Sequence, residues 1–76
     1  MLSFYKINYL AIDEIIRQIK LRDLTGIILV DFIKNMSIKN QEQLTDKMTR
    51  MLINDWRHTK ILGFSKAGIF ELIRNK

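Results

Sequence analysis

The stretch GIILVDFIKN, Gly26 to Asn35, decides how the chain is read. From Ile27 to Ile33 every position except Asp31 is apolar, and β-branched and aromatic side chains dominate, which favours a strand. Alternation is missing because both faces are apolar, and that pattern predicts a strand covered on two sides. An acid near the end of such a strand needs a reason. Burying an unpaired carboxylate costs several kcal/mol, so Asp31 must be neutral, paired, partly exposed or bound to a cation. Two readings stay open on the residues alone. Asp31 pairs with a basic side chain or with amides at a helix N-terminus, or it holds a divalent metal.

Upstream of this strand the pattern is helical from Ala11. Ile12, Ile15, Ile16 and Ile19 form an apolar stripe, with Asp13, Arg17 and Lys20 around the other side. Glu14 in the early turns and Lys20 and Arg22 in the late ones follow the order the helix dipole favours. Asn8 is the expected cap, and Thr25-Gly26 the expected end. Met1 to Tyr9 fits a strand, an arm or a frayed end. Downstream, Lys34 to Lys39 reads as a polar connection. A second helix from near Asn40 to near His58 follows from Leu44, Met48, Met51 and Leu52. Lys60 to Phe64 reads as a short strand. Ser65 then suits the cap of a last helix, yet Phe70, Leu72 and Arg74 also alternate with Ile69, Glu71 and Ile73. Residues 68–74 therefore remain helix or strand. The class is α/β, with the order helix, strand, helix, strand and a final helix or strand. Two strands joined through a helix are expected as neighbours in a parallel or mixed sheet, with a ligand near their carboxyl ends, where Asp31 lies.

With 76 residues the chain makes one small domain, residues 1–76. Its 47% apolar content excludes a disordered segment, and the absence of cysteine excludes disulfides and a thiolate metal site. The thin core such a length allows points to a partner, as a homo-oligomer or by docking onto a larger body. Thirteen Lys and Arg against eight Asp and Glu give a net charge of +5, which suits a polyanion such as RNA. No leader pattern is visible, and the run from Gly26 to Ile33 is too short to span a bilayer, so a cytoplasmic protein without a membrane role is expected.

For chemistry, Mg²⁺ takes oxygen ligands and keeps waters, so one or two carboxylates with phosphate oxygens suffice to hold it. Asp31 is the candidate ligand. Glu71 joins it only if the last element lies beside the first strand, whereas Asp23 and Asp55 read as helix-end acids paired with bases. His58 has no serine or acid at a spacing that makes a triad. Lys34, Lys39, Arg57, Lys60 and Lys66 are the candidate RNA contacts, with Lys47 and Arg50 along the second helix. Trp56 offers a stacking surface but fits edge-of-core packing better.

Asn8 to Glu14, EIIRQIKLRDLTGIILVDFI and DWRHTKILGFSKAGIFELIR resemble the RNase E/G family of bacterial endoribonucleases over residues 8–76. The family runs ARQIRLRDLGG, IVIDFIDM and G(I/L)SRFGLLEMTR match as a set. The resemblance implies a fragment of a DNase I-like catalytic subdomain of a larger enzyme that cuts single-stranded RNA with Mg²⁺. It also implies that Asp31 is one of two metal-binding aspartates, the other lying in a segment absent from this sequence. Arg17, Gln18, Arg22, Asp23, Gly26, Phe32, Ile33, Asp55, Ser65, Gly68, Glu71 and Arg74 match as well and read mostly as architecture. The departures are Lys34 in place of a strand-end acid, Asn35 for Met, Leu10 for Glu and Thr25 for Gly. A lysine beside a metal weakens the local negative field. The expectation is part of a Mg²⁺-dependent endoribonuclease, inactive as this isolated chain and completed by the rest of a split nuclease. The alternative is a non-catalytic RNA-binding or interaction module.

Overall fold

The computed structural model describes residues 3–33 and 36–76. Helix α1 spans Phe4–Leu21, strand β1 Gly26–Val30, helix α2 Ile38–Leu52, strand β2 Thr59–Phe64 and strand β3 Phe70–Arg74. Serines start both helices. The Ser3 hydroxyl accepts from the Lys6 amide and the Ser37 hydroxyl from the Asn40 amide, each at 3.1 Å, satisfying amides that a first turn leaves open. Helix α1 therefore begins two turns before the expected Ala11. Asn8 is an interior residue rather than a cap, and Glu14 stands mid-helix instead of at the favourable dipole end. Helix α2 likewise stops at Leu52, short of the expected His58.

The final element is a strand, and it reorganises the sheet. The order is β1-β3-β2, with β3 antiparallel to both neighbours. β1 and β2 run in the same direction, as strands joined through a helix should, but β3 is inserted between them. The expected direct pairing of β1 with β2 is thus replaced by an all-antiparallel ladder. Ser65 does not cap a helix. Its carbonyl accepts from Gly68 at 2.9 Å, its amide donates to the Ile69 carbonyl at 2.9 Å, and its hydroxyl accepts from the Ile69 amide at 3.3 Å. Gly68, at φ +82°, supplies the left-handed step of this β2–β3 hairpin. Across the hairpin the register slips between Ile61 and Gly63, leaving Leu62 as the extra residue of a bulge.

Both helices lie on one face of the sheet. Phe70, Leu72 and Arg74 of β3 point into that layer and are buried. Ile12, Ile16 and Ile19 of α1 and Leu44, Met48 and Leu52 of α2 close it. Ile28, Val30 and Ile61 pack against the same core. Among the described residues nothing covers the other face, which corrects the expectation of a strand covered on two sides. Ile27 is 72% exposed and Leu29 61%, while Ile28 between them is half-buried. β1 also lies at the sheet edge, so one side of its backbone ladder is unpaired among the described residues.

Candidate functional site

The carboxyl end of β1 is shaped by what flanks Asp31. On one side the strand runs out at Val30; on the other, Phe32 turns into the core. Its ring lies 5.9 Å from that of Phe64 and 6.4 Å from that of Phe70, centroid to centroid, an aromatic cluster that fixes the chain after Asp31. The next residue is gripped by a side chain. The Asn8 amide nitrogen donates to the Ile33 carbonyl, and the Asn8 oxygen accepts from the Ile33 amide, both at 2.9 Å. Asn8 is itself buried and mimics one rung of a sheet ladder. With a buried Phe32 and a clamped Ile33, Asp31 is left outside. It is exposed and makes no hydrogen bond or ion pair among the described residues.

Beside it runs a groove of about 430 Å³ between α1 and the free edge of β1, floored by Ile15, Ile19 and Ile28 and reaching Glu14 and Asp31. The Glu14 carboxylate is engaged by Arg17 at 2.8 Å through both Nε and Nη2 and by Gln18 Nε2 at 2.8 Å. The Arg17 guanidinium, then the Gln18 amide, hold its pKa down at about 2, so Glu14 stays ionised without being free. Glu71 sits on β3 directly opposite Leu29, two residues short of Asp31, because the last element does lie beside the first strand. Among the described residues no three acids or histidines converge as a complete metal cage. The donor set is that of a partial site. The exposed Asp31 carboxylate has two hard oxygens, the ligand type that a divalent cation such as Mg²⁺ takes.

The opposite end of the sheet is closed by charge. Arg74 is 1% exposed; its Nε donates to Asp55 Oδ2 at 2.6 Å and its Nη2 to Asp55 Oδ1 at 3.0 Å. Its Nη1 reaches Asp23 Oδ1 at 2.8 Å and the Leu24 carbonyl at 3.0 Å. Arg57 takes Asp23 from the other side, Nε to Oδ1 at 2.6 Å and Nη2 to Oδ2 at 2.7 Å. Asp23 reaches both arginines because its backbone sits in the left-handed region at φ +50°, just past the end of α1. Hydrogen bonds from Arg57 and then Arg74 depress the Asp23 pKa to about 2, and Arg74 lowers that of Asp55. The reading of Asp23 and Asp55 as paired helix-end acids agrees with this arrangement.

The candidate RNA contacts divide. Lys39, Lys60 and Lys66 are exposed and make no hydrogen bond or ion pair among the described residues. Arg57 is committed to Asp23 and stacks 4.1 Å from the centroid of the Trp56 ring, which is 71% exposed rather than packed at the core edge. Lys34 lies outside the described residues. Sequence reasoning missed the Asn8 clamp, although its signal is present: Asn8 continues the apolar stripe through Ile12, Ile16 and Ile19 at helical spacing, and a polar residue on a buried stripe demands partners.

A small α/β layer with an outward acid at one strand end is the class of structure these observations define. The chain matches the Ribonuclease E/G family over residues 2–76, and it belongs to that family. Among similar proteins, ribonuclease E of Synechocystis is 41% identical over 69 residues, covering 91% of this chain and 10% of that protein. Ribonuclease E of Escherichia coli is 32% identical over 72 residues, 95% of this chain and 7% of its own length. Ribonuclease G of Salmonella typhimurium is 32% identical over 74 residues, 97% and 15%. The chain thus spans about a tenth of the first of these relatives.

Proposed function

We propose that this chain is the portion of an RNase E/G-type endoribonuclease that presents one metal-binding aspartate, Asp31, to a phosphodiester of single-stranded RNA in the cytoplasm. Family membership supports the reaction class. The observation that carries the reading is Asp31 itself, exposed and unpartnered among the described residues just ahead of the Phe32 anchor and the Asn8 clamp on Ile33. Mg²⁺ bound there would ready a water for attack and offset charge on the phosphate. The chain's own part is positional: Phe32 and Asn8 hold Asp31 outward, and Lys39, Lys60 and Lys66 attract the polyanion. One aspartate is an incomplete ligand set, so the isolated chain has little or no cleavage activity.

The test is a chimera in which residues 8–76 replace the matching segment of Synechocystis ribonuclease E. Mg²⁺-dependent cleavage of single-stranded RNA is expected in the chimera and lost on Asp31→Asn, while Lys34→Asp lowers the Mg²⁺ concentration required. Equal cutting by the Asp31→Asn chimera rules out the ligand role.

The bare sheet face favours one addition to this reading: it docks against the rest of the nuclease. Exposed Ile27 and Leu29 on an unprotected edge strand form the kind of surface that another part of a longer chain covers. Leu29→Lys should leave the isolated chain within about 0.5 kcal/mol of its original stability. The same change should cost the chimera about 2 kcal/mol. Equal tolerance in both settings, measured by thermal unfolding, would mean that nothing covers the face; a drop in self-association of the isolated chain would point to a second copy instead.

A further inference from the structure

We infer that the groove between α1 and α2 is a subsite for an unpaired nucleobase, with Tyr5 as its stacking ring and Tyr9, whose ring Lys47 covers, completing the aromatic wall. The inference rests on the single-stranded RNA reading above and assigns that strand a second contact away from Asp31. Tyr5 and Tyr9 stand four residues apart on one side of α1, their ring centroids 5.9 Å apart and their planes tilted by 49°. Both are half-buried, and beside them lies a groove of about 570 Å³ completed by Gln43, Asp46, Thr49 and Arg50 of α2. The groove is open to solvent, with Gln43, Asp46, Thr49 and Arg50 all exposed, so a base would lie along it rather than be enclosed.

The charges select the ligand. Lys47 does not serve it: its ammonium sits 3.9 Å from the Tyr9 ring centroid, donates to the Tyr9 carbonyl at 2.7 Å and pairs with Asp13 at 3.1 Å. Arg50, Gln43 and Asp46 make no hydrogen bond or ion pair among the described residues, so their polar atoms are available. The Asp46 carboxylate repels a phosphate from the groove but accepts from the amino or imino hydrogens of a base. Gln43 both donates and accepts, and Thr49, whose hydroxyl already donates to the Thr45 carbonyl at 2.8 Å, can still accept. Arg50 and Lys6, on the other flank of the tyrosines, suit the phosphates on either side of that base. An apolar peptide or a lipid tail would leave these polar groups unpaired. Base on aromatic with basic groups at the rim is the pattern of single-strand binding. The Asn8 clamp, which joins this half of α1 to Ile33, puts the groove at the same end of the molecule as Asp31.

The test measures binding of a fluorescently labelled single-stranded RNA decamer to the purified chain, by anisotropy in EDTA so that metal plays no part. Tyr5→Leu should weaken binding roughly tenfold, whereas Tyr5→Phe, which keeps the ring, should bind as the original does. Arg50→Gln should weaken binding less and reduce the salt dependence by about 0.7 in logarithmic slope. In the unaltered chain, RNA should shift the NMR signals of the Gln43 side-chain amide and the Thr49 backbone, a readout independent of any variant's folding. RNA binding with those signals unmoved, or a folded Tyr5→Leu variant that binds unchanged, overturns the subsite and leaves the broader RNA reading standing. No RNA binding by the unaltered chain also overturns the subsite, while the Asp31 reading stands or falls on cleavage by the chimera.

Discussion

The two ends of the sheet use the same chemical group in opposite ways. At the Arg74 end, Asp23 and Asp55 are consumed by two guanidiniums that tie the α1–β1 connection, the α2–β2 connection and β3 together. At the other end Asp31 is held in place entirely through its neighbours, by an aromatic cluster and an asparagine clamp, and its own oxygens are spent on nothing among the described residues. An acid that builds the fold is paired; an acid available to a ligand is positioned by others. The sheet therefore has a structural end and a presenting end.

The largest effect should come from breaking the structural end. Arg74→Met strands the Asp55 carboxylate, whose side chain is 2% exposed, and should cost roughly 3–5 kcal/mol. The pair Arg74→Met with Asp55→Leu should recover most of that loss, because a buried ion pair replaced as a unit by apolar groups is often neutral. Denaturant unfolding of the three proteins measures both. The same lock sets the acid limit. Asp23 and Asp55 have folded-state pKa values below their unfolded ones, so their contribution is complete above about pH 4. It is lost as pH falls toward the folded Asp23 value of about 2. A chain that keeps its full stability down to pH 2 would contradict the lock. A smaller effect is expected at the presenting end. Asn8→Leu removes both bonds to Ile33 and should cost about 1–3 kcal/mol. Hydrogen exchange at the Ile33 amide should accelerate more than at the β3 amides; uniform acceleration would show that Asn8 supports the fold as a whole rather than the Asp31 segment.

Much of this division was legible in the residues. The helical stripes, the β1 run and the short strand at Lys60–Phe64 follow from periodicity, and Asp23 and Asp55 could be read as paired because acids at helix ends attract bases. The hairpin was harder. Ser65-Lys66-Ala67-Gly68 satisfies both a helix cap and a tight turn, and only the pairing of Phe70, Leu72 and Arg74 against β1 and β2 decides between them. The bare face of β1 was hidden for a related reason. An unbroken apolar run signals burial on both sides, but among the described residues only one face of β1 is covered. Neither Ser3 nor Ser37 reads as a cap from the sequence, because the apolar stripes begin a turn or more after them.

Mn²⁺ binding followed by NMR on the isolated chain tests the presenting end most directly, since manganese accepts the same hard oxygen ligands as magnesium. The account predicts paramagnetic broadening centred on the amides of Val30, Asp31 and Phe32, and its loss in an Asp31→Asn variant of unchanged stability. Broadening centred on Asp13, Glu42 or Asp46, or persisting undiminished in that variant, would contradict it.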